Sequence, residues 1–105
     1  MIEEILKKIN GFDWDWGNVC KNAIKHRVDT TECESVFFNK PLLLFFDQKH
    51  SQNEERFYVL GKTNFNRNLF IVFTIRNNKI RIISARDMSR KERKIYEKED
   101  TKIQE

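Results

Sequence analysis

With 105 residues, a formal charge of +4 and nine phenylalanines, the chain has material for one small folded domain around one aromatic-rich core, and little for a second. Its longest apolar runs, five residues each as in Leu42 to Phe46, fall far short of the roughly 20 residues that span a bilayer. Cys20 and Cys33 form neither a zinc-ligand spacing nor a disulfide framework, so membrane-spanning and disulfide-scaffold classes are set aside and a cytoplasmic protein with reduced thiols is expected.

The opening residues Ile2, Ile5, Leu6 and Ile9 have helical spacing, mixed with Glu and Lys in a way no signal peptide shows; an early strand around residues 9–14 is the alternative. Asp15 suits a helix cap for residues 16–26, with Val19, Ala23 and Ile24 as a partial apolar face. Asp29 is expected in a turn. Thr31 and Glu34 match a capping box for a second short helix carrying Cys33, Val36 and Phe37. After Pro41, residues 42–47, 55–63, 69–77 and 79–86 read as four strands with short polar connections, the last of them the tight turn at Asn77 and Asn78. Short connections favour antiparallel neighbours. In the third strand both parities are apolar, which predicts a central position. Ser89 and Glu92 form another capping box, opening a solvated helix through Lys102 with Ile95, Tyr96 and Ile103 as packing residues. The expectation is a small single α+β domain over residues 1–105: a mainly antiparallel four-stranded sheet, two helices before it, one after, and a frayed tail at 99–105.

The charge is unevenly placed. Residues 1–75 carry ten basic and ten acidic side chains, whereas residues 76–98 carry nine and three, a local excess suited to a polyanion. Lys25, His26 and Arg27 join fixed charges to a titratable imidazole, which makes His26 a candidate base; a helix-capping or packing role is the structural alternative. His50 reads as surface. On the last strand, alternation sends Ser84 and Arg86 to one face with Ile80 and Ile82, and Arg81 to the other. Arg90 follows at the helix start, and Arg56 and Tyr58 share a parity on the second strand. Arginine can fork onto phosphate, or Arg81 and Arg86 can pair with Glu55, Asp87 or Glu92. Phe57, Phe70 and Phe73 read as core rather than as a base-stacking platform. No metal pattern occurs, and no phosphate-loop, nucleophile-elbow or dinucleotide motif. A metal or cofactor is not expected.

Four blocks, "FDWDWGNVCKNAIKHRVD" at 12–29, "SVFF" at 35–38, "EERFYVLGKT" at 54–63 and "IRIISARDMSRKERKIYE" at 80–97, together resemble the BrnT family of toxins from bacterial type II toxin-antitoxin systems. The resemblance implies a small ribonuclease with an α+β fold related to compact RNA-cleaving toxins, neutralised by a small cognate antitoxin of the BrnA type, with operator DNA bound only through that antitoxin. The matching basic and polar positions are Lys25, His26, Arg56, Arg81, Ser84, Arg86, Arg90 and Tyr96. Arg27 departs from the family, which usually has glycine after Lys-His. A positive φ at this turn would make Arg27 costly.

The expected function is metal-independent cleavage of accessible RNA. Lys25 or His26 would be the base at the 2′-hydroxyl, Arg56 and Arg86 would balance charge on the phosphorane, and Arg81 or Arg90 would hold flanking phosphate. Tyr58 and Tyr96 are the candidates for proton donor, and Ser84 contributes to binding. The rival expectations are a noncatalytic nucleic-acid-binding module and a surface that chiefly receives an acidic protein partner.

Overall fold

The computed structural model describes residues 6–14, 26–50 and 54–104. Their order is α1 (Thr30–Val36), β1 (Leu43–Phe46), a 3-10 turn (Gln48–His50), β2 (Arg56–Lys62), β3 (Asn68–Arg76), β4 (Lys79–Asp87) and α2 (Arg90–Gln104). The strands form one antiparallel sheet in the order β1-β2-β3-β4, so the predicted meander holds. Asn77 and Asn78 both sit at positive φ, 52° and 61°, the backbone a two-residue hairpin needs to match the twist of its strands. The expected helix 16–26 and Lys25 lie outside the described residues except for His26, which is helical.

One sheet face carries the main core. Val59, Leu69, Ile71, Phe73 and Ala85 are fully buried there against Val36 of α1, with Val28 and Cys33 alongside. Burial and the nearby carboxylates of Glu32, Asp29 and Glu34 push the Cys33 thiol up to about 12, which leaves it a packing group rather than a nucleophile. α1 starts earlier than expected. Asp29, extended at φ −94° and ψ 172°, accepts from the Glu32 amide at 2.8 Å, and Glu32 reaches back to the Asp29 amide. The capping box is therefore Asp29 with Glu32, not Thr31 with Glu34. Glu34 instead accepts the Trp14 indole N–H at 2.8 Å.

Gly61 lets α1 lie close on β2. A Cβ there would come within 2.5 Å of the Val36 Cγ1 and 3.2 Å of the Leu42 Cδ1. Gly61→Ala should cost about 1–3 kcal/mol, read as a lower midpoint in urea unfolding; an unchanged midpoint would mean that the helix rides freely over the strand.

The early strand reduces to one parallel bridge, Phe12 to Ile80. Backbone bonds Asn10 N–H to Asn78 O, Ile80 N–H to Gly11 O and Asp13 N–H to Ile80 O, at 2.8 to 3.0 Å, cover the outer edge of β4.

α2 packs on the second face. Its capping box is the one expected, with Ser89 N–H on Glu92 at 2.8 Å and Glu92 N–H on Ser89 Oγ at 3.2 Å. Tyr96 anchors it, buried with Leu60 and Met88 against Leu43, Phe45 and Phe70. Ile95 is 46% exposed, contrary to expectation, because adjacent helical residues point about 100° apart and Tyr96 takes the inward direction. The Ile103 side chain lies outside the described part of the structure. α2 runs on through Gln104, and Lys62 meets Asp100 at 3.2 Å.

Arg27 occupies φ 54°, so the turn has the left-handed geometry that the family glycine would satisfy without strain. Arg27→Gly should raise stability by up to about 1 kcal/mol, since a side chain in this region costs about 1–2 kcal/mol and glycine's unfolded-state entropy returns part of that. A thermal melt checks it, and a lower melting temperature would contradict it.

Candidate functional site

Cross-strand register decides which side chains share a face. Arg56 pairs with Thr74, and Thr74 with Arg81; Tyr58 pairs with Val72, and Val72 with Ser84; Leu60 pairs with Phe70, and Phe70 with Arg86. All three rows lie opposite the main core. Strict alternation would have put Arg81 with the core residues, but a β-bulge between Val72 and Phe73 breaks the register: Ser84 pairs with Val72, yet Ile82 pairs with Phe73. One extra residue in β4 reverses the parity beyond it. Arg81 therefore joins Ser84 and Arg86, which share a face as expected, and Ile80 and Ile82 turn to the core, correcting the expected faces of Arg81, Ile80 and Ile82.

α2 covers only the Leu60–Phe70 end of this face. Tyr58, Val72, Ser84, Arg56 and Arg81 are all half-buried. The Tyr58 ring stacks on Phe45 at 4.8 Å and lies tilted against Phe70 at 5.2 Å. The Arg86 guanidinium closes the ladder, 4.1 Å above the Phe70 ring. Phe57 and Phe73 are buried in the main core, as expected.

Arg86 is also held in a fork. Its Nη1 and Nη2 donate to the two Glu92 carboxylate oxygens at 2.8 and 2.9 Å, and Nη1 donates to the Asp87 carbonyl at 3.0 Å. The Arg86 bonds, helped by Ser89, hold the Glu92 carboxyl below the usual carboxylate range. Glu92 thus both starts α2 and aims Arg86, while the guanidinium keeps enough exposure, 37%, to meet a ligand. Arg81 lies 3.6 Å from Asp13, and Thr74, buried between the arginines, donates to the Glu55 carbonyl at 2.7 Å. The local pairing foreseen for the arginines is realised in Arg86 with Glu92, whereas Arg81 takes Asp13.

Other candidates are placed differently. Arg56 stands with Arg81, four residues along the sheet from Arg86. Arg90 is exposed at the first turn of α2. His26 lies beyond the Asp87 end of β4, where its charge helps hold the Asp87 carboxyl down after the larger effect of Arg67. Tyr96 is 1% exposed, its hydroxyl donates to the Pro41 carbonyl at 2.7 Å, and burial pushes it up to about 12. A hydroxyl sealed in this way serves packing, which leaves Tyr58 as the tyrosine of the two on the half-buried face. Among the described residues, no three His, Cys, Asp or Glu side chains gather into a ligand set.

Arg67 went unnoticed in the sequence. It donates to Asp87 through Nε and Nη2 at 2.8 and 3.2 Å, to Glu32 at 2.9 Å, and to the carbonyls of Arg27 and His26 at 2.7 and 3.0 Å. It thus closes the helical end at His26 and ties α1 to the end of β4. Its partners lie 20 to 41 residues away, so no local pattern announces it.

A family model described as the ribonuclease toxin BrnT of type II toxin-antitoxin systems matches residues 14–92. Among solved structures, the chain is similar to the crystal structure of the Brucella abortus ribonuclease toxin BrnT, with a TM-score of 0.59 and 20% identity over 76% of this chain and 97% of that one. At that identity the likeness is one of fold. No curated protein sequence matches the chain.

Proposed function

The chain belongs to the BrnT family of ribonuclease toxins, and from that membership we propose that its half-open sheet face cleaves single-stranded RNA without a metal ion. The observation that carries this reading is the strand register, in which a bulge in β4 brings Arg81 onto the face that holds Arg56, Tyr58, Ser84 and Arg86. Arginines supply fixed charge where a phosphorane develops it, and they need no proton exchange to do so.

A base, His26 or Lys25, takes the proton of the ribose 2′-hydroxyl. The 2′-oxygen attacks phosphorus, the bond to the 5′-oxygen breaks, and that oxygen takes a proton from a donor, for which Tyr58 is the open-face candidate. Arg86 stabilises charge on the non-bridging oxygens. Arg81, Arg56 and Arg90 hold neighbouring phosphates, and Ser84 donates to the strand. The physiological partner would be a small cognate antitoxin of the BrnA type; covering the arginines would exclude RNA.

Purified protein with chelator should cut RNA and leave a DNA strand of matched sequence whole. Strict dependence on added divalent cation would overturn the mechanism. The fork between Arg86 and Glu92 favours a second reading, a noncatalytic binding module. It predicts salt-sensitive binding with no strand scission.

A further inference from the structure

On the premise that the open face takes RNA, we infer that it holds the strand at two separate phosphate subsites, one at Arg86 and one shared by Arg56 and Arg81. Substrates must then reach both subsites to be cleaved efficiently.

Phe70 and Thr74, the β3 partners of Arg86 and Arg81, are four residues apart, or about 13 Å along the strand. Arg86 cannot swing toward the other row without giving up Phe70, the Asp87 carbonyl and the Glu92 fork together. Arg56 and Arg81 flank the same buried Thr74 in one row. The Glu54 carboxyl, held low chiefly by its bond to Arg76, also feels the charges of Arg56 and Arg81. A row spacing of about 13 Å is more than one phosphate group bridges, so separate phosphates of the strand are needed to fill both rows.

The row between them is neutral: Tyr58, Val72 and Ser84. Both faces of the Tyr58 ring lie against Phe45 and Phe70, so a base finds no free ring there, and the hydroxyls of Tyr58 and Ser84 offer hydrogen bonds instead. Recognition therefore rests on phosphate spacing. A carboxylate stands at each subsite, Glu92 at one and Asp13 at the other.

The test is kcat/KM of the full chain on RNAs of two, three, four and six nucleotides. A step of about tenfold or more between two and four nucleotides, then a plateau, is expected; a flat series overturns the inference. Arg81→Gln should shrink the ratio of hexanucleotide to dinucleotide kcat/KM by a similar factor and lower the salt slope of binding by about 1. An unchanged ratio counts against the second subsite, and Arg56→Gln repeats the test should Arg81→Gln fail to fold. Affinity for 2′-O-methyl RNAs of the same lengths separates the two claims. If nothing is cleaved, the ribonuclease reading fails, yet a length step in affinity still supports two subsites and a flat affinity series overturns them.

Discussion

Arg86→Ala is expected to lower RNA cleavage about 100- to 1,000-fold with the fold retained, the usual loss when one preorganised donor is taken from a developing oxyanion. The prediction is sharp because the fold has other means of starting α2. Ser89 and Glu92 keep both capping-box bonds without Arg86, and Tyr96, Leu60 and Met88 still anchor the helix. The substitution removes the Glu92 fork and the contact over Phe70, an exposed arrangement worth on the order of 1 kcal/mol. Arg86→Lys should keep the charge but lose the fork, giving an intermediate rate. Single-turnover rates alongside circular dichroism check this; unfolding of Arg86→Ala would assign the residue to structure.

Arg67→Ala is expected to be the most destabilising single exchange at a polar position, by about 2–3 kcal/mol. Two backbone carbonyls, those of His26 and Arg27, lose their donor, and Glu32 loses its ion pair. The Asp87 arm adds less, since that side chain is 62% exposed and screened by water. For a domain of this size such a loss lowers the melting temperature by on the order of 10 °C. The pair also gives an acid limb. Arg67 holds the Asp87 carboxyl below its ordinary value, so the contribution is full above the unfolded carboxylate range near pH 4 and is lost as pH falls through the lowered folded value. In Arg67→Ala that part of the limb should flatten. Differential scanning calorimetry from pH 2 to 7 reads both effects, and a melting temperature within a degree of wild type would remove Arg67 from the account.

Much of the architecture was legible because it is written in local rules. The four strands, their antiparallel order, the Asn77–Asn78 turn and the Ser89–Glu92 box follow from two-residue alternation, turn chemistry and a three-residue spacing. Asp29, by contrast, outcompetes Thr31 as the cap through its extended backbone, a conformation that composition does not reveal. The bulge was invisible for a similar reason. No glycine marks it, and the sequence "IRIIS" alternates equally well in either register, so Arg81 was assigned to the wrong face. The candidate residues Arg56, Tyr58, Ser84 and Arg86 were found from their chemistry. Their gathering with Arg81 came only from strand pairing. Arg67, whose partners all lie far away in the chain, had no sequence signal at all.

The central claim, that this face breaks RNA through its own 2′-hydroxyl, is tested most directly by the ends of the product strands. Cleavage in chelator should leave a 2′,3′-cyclic phosphate on one fragment and a 5′-hydroxyl on the other, and fully 2′-O-methylated RNA should survive intact. Fragments bearing 5′-phosphate, or scission of the methylated strand, would contradict it.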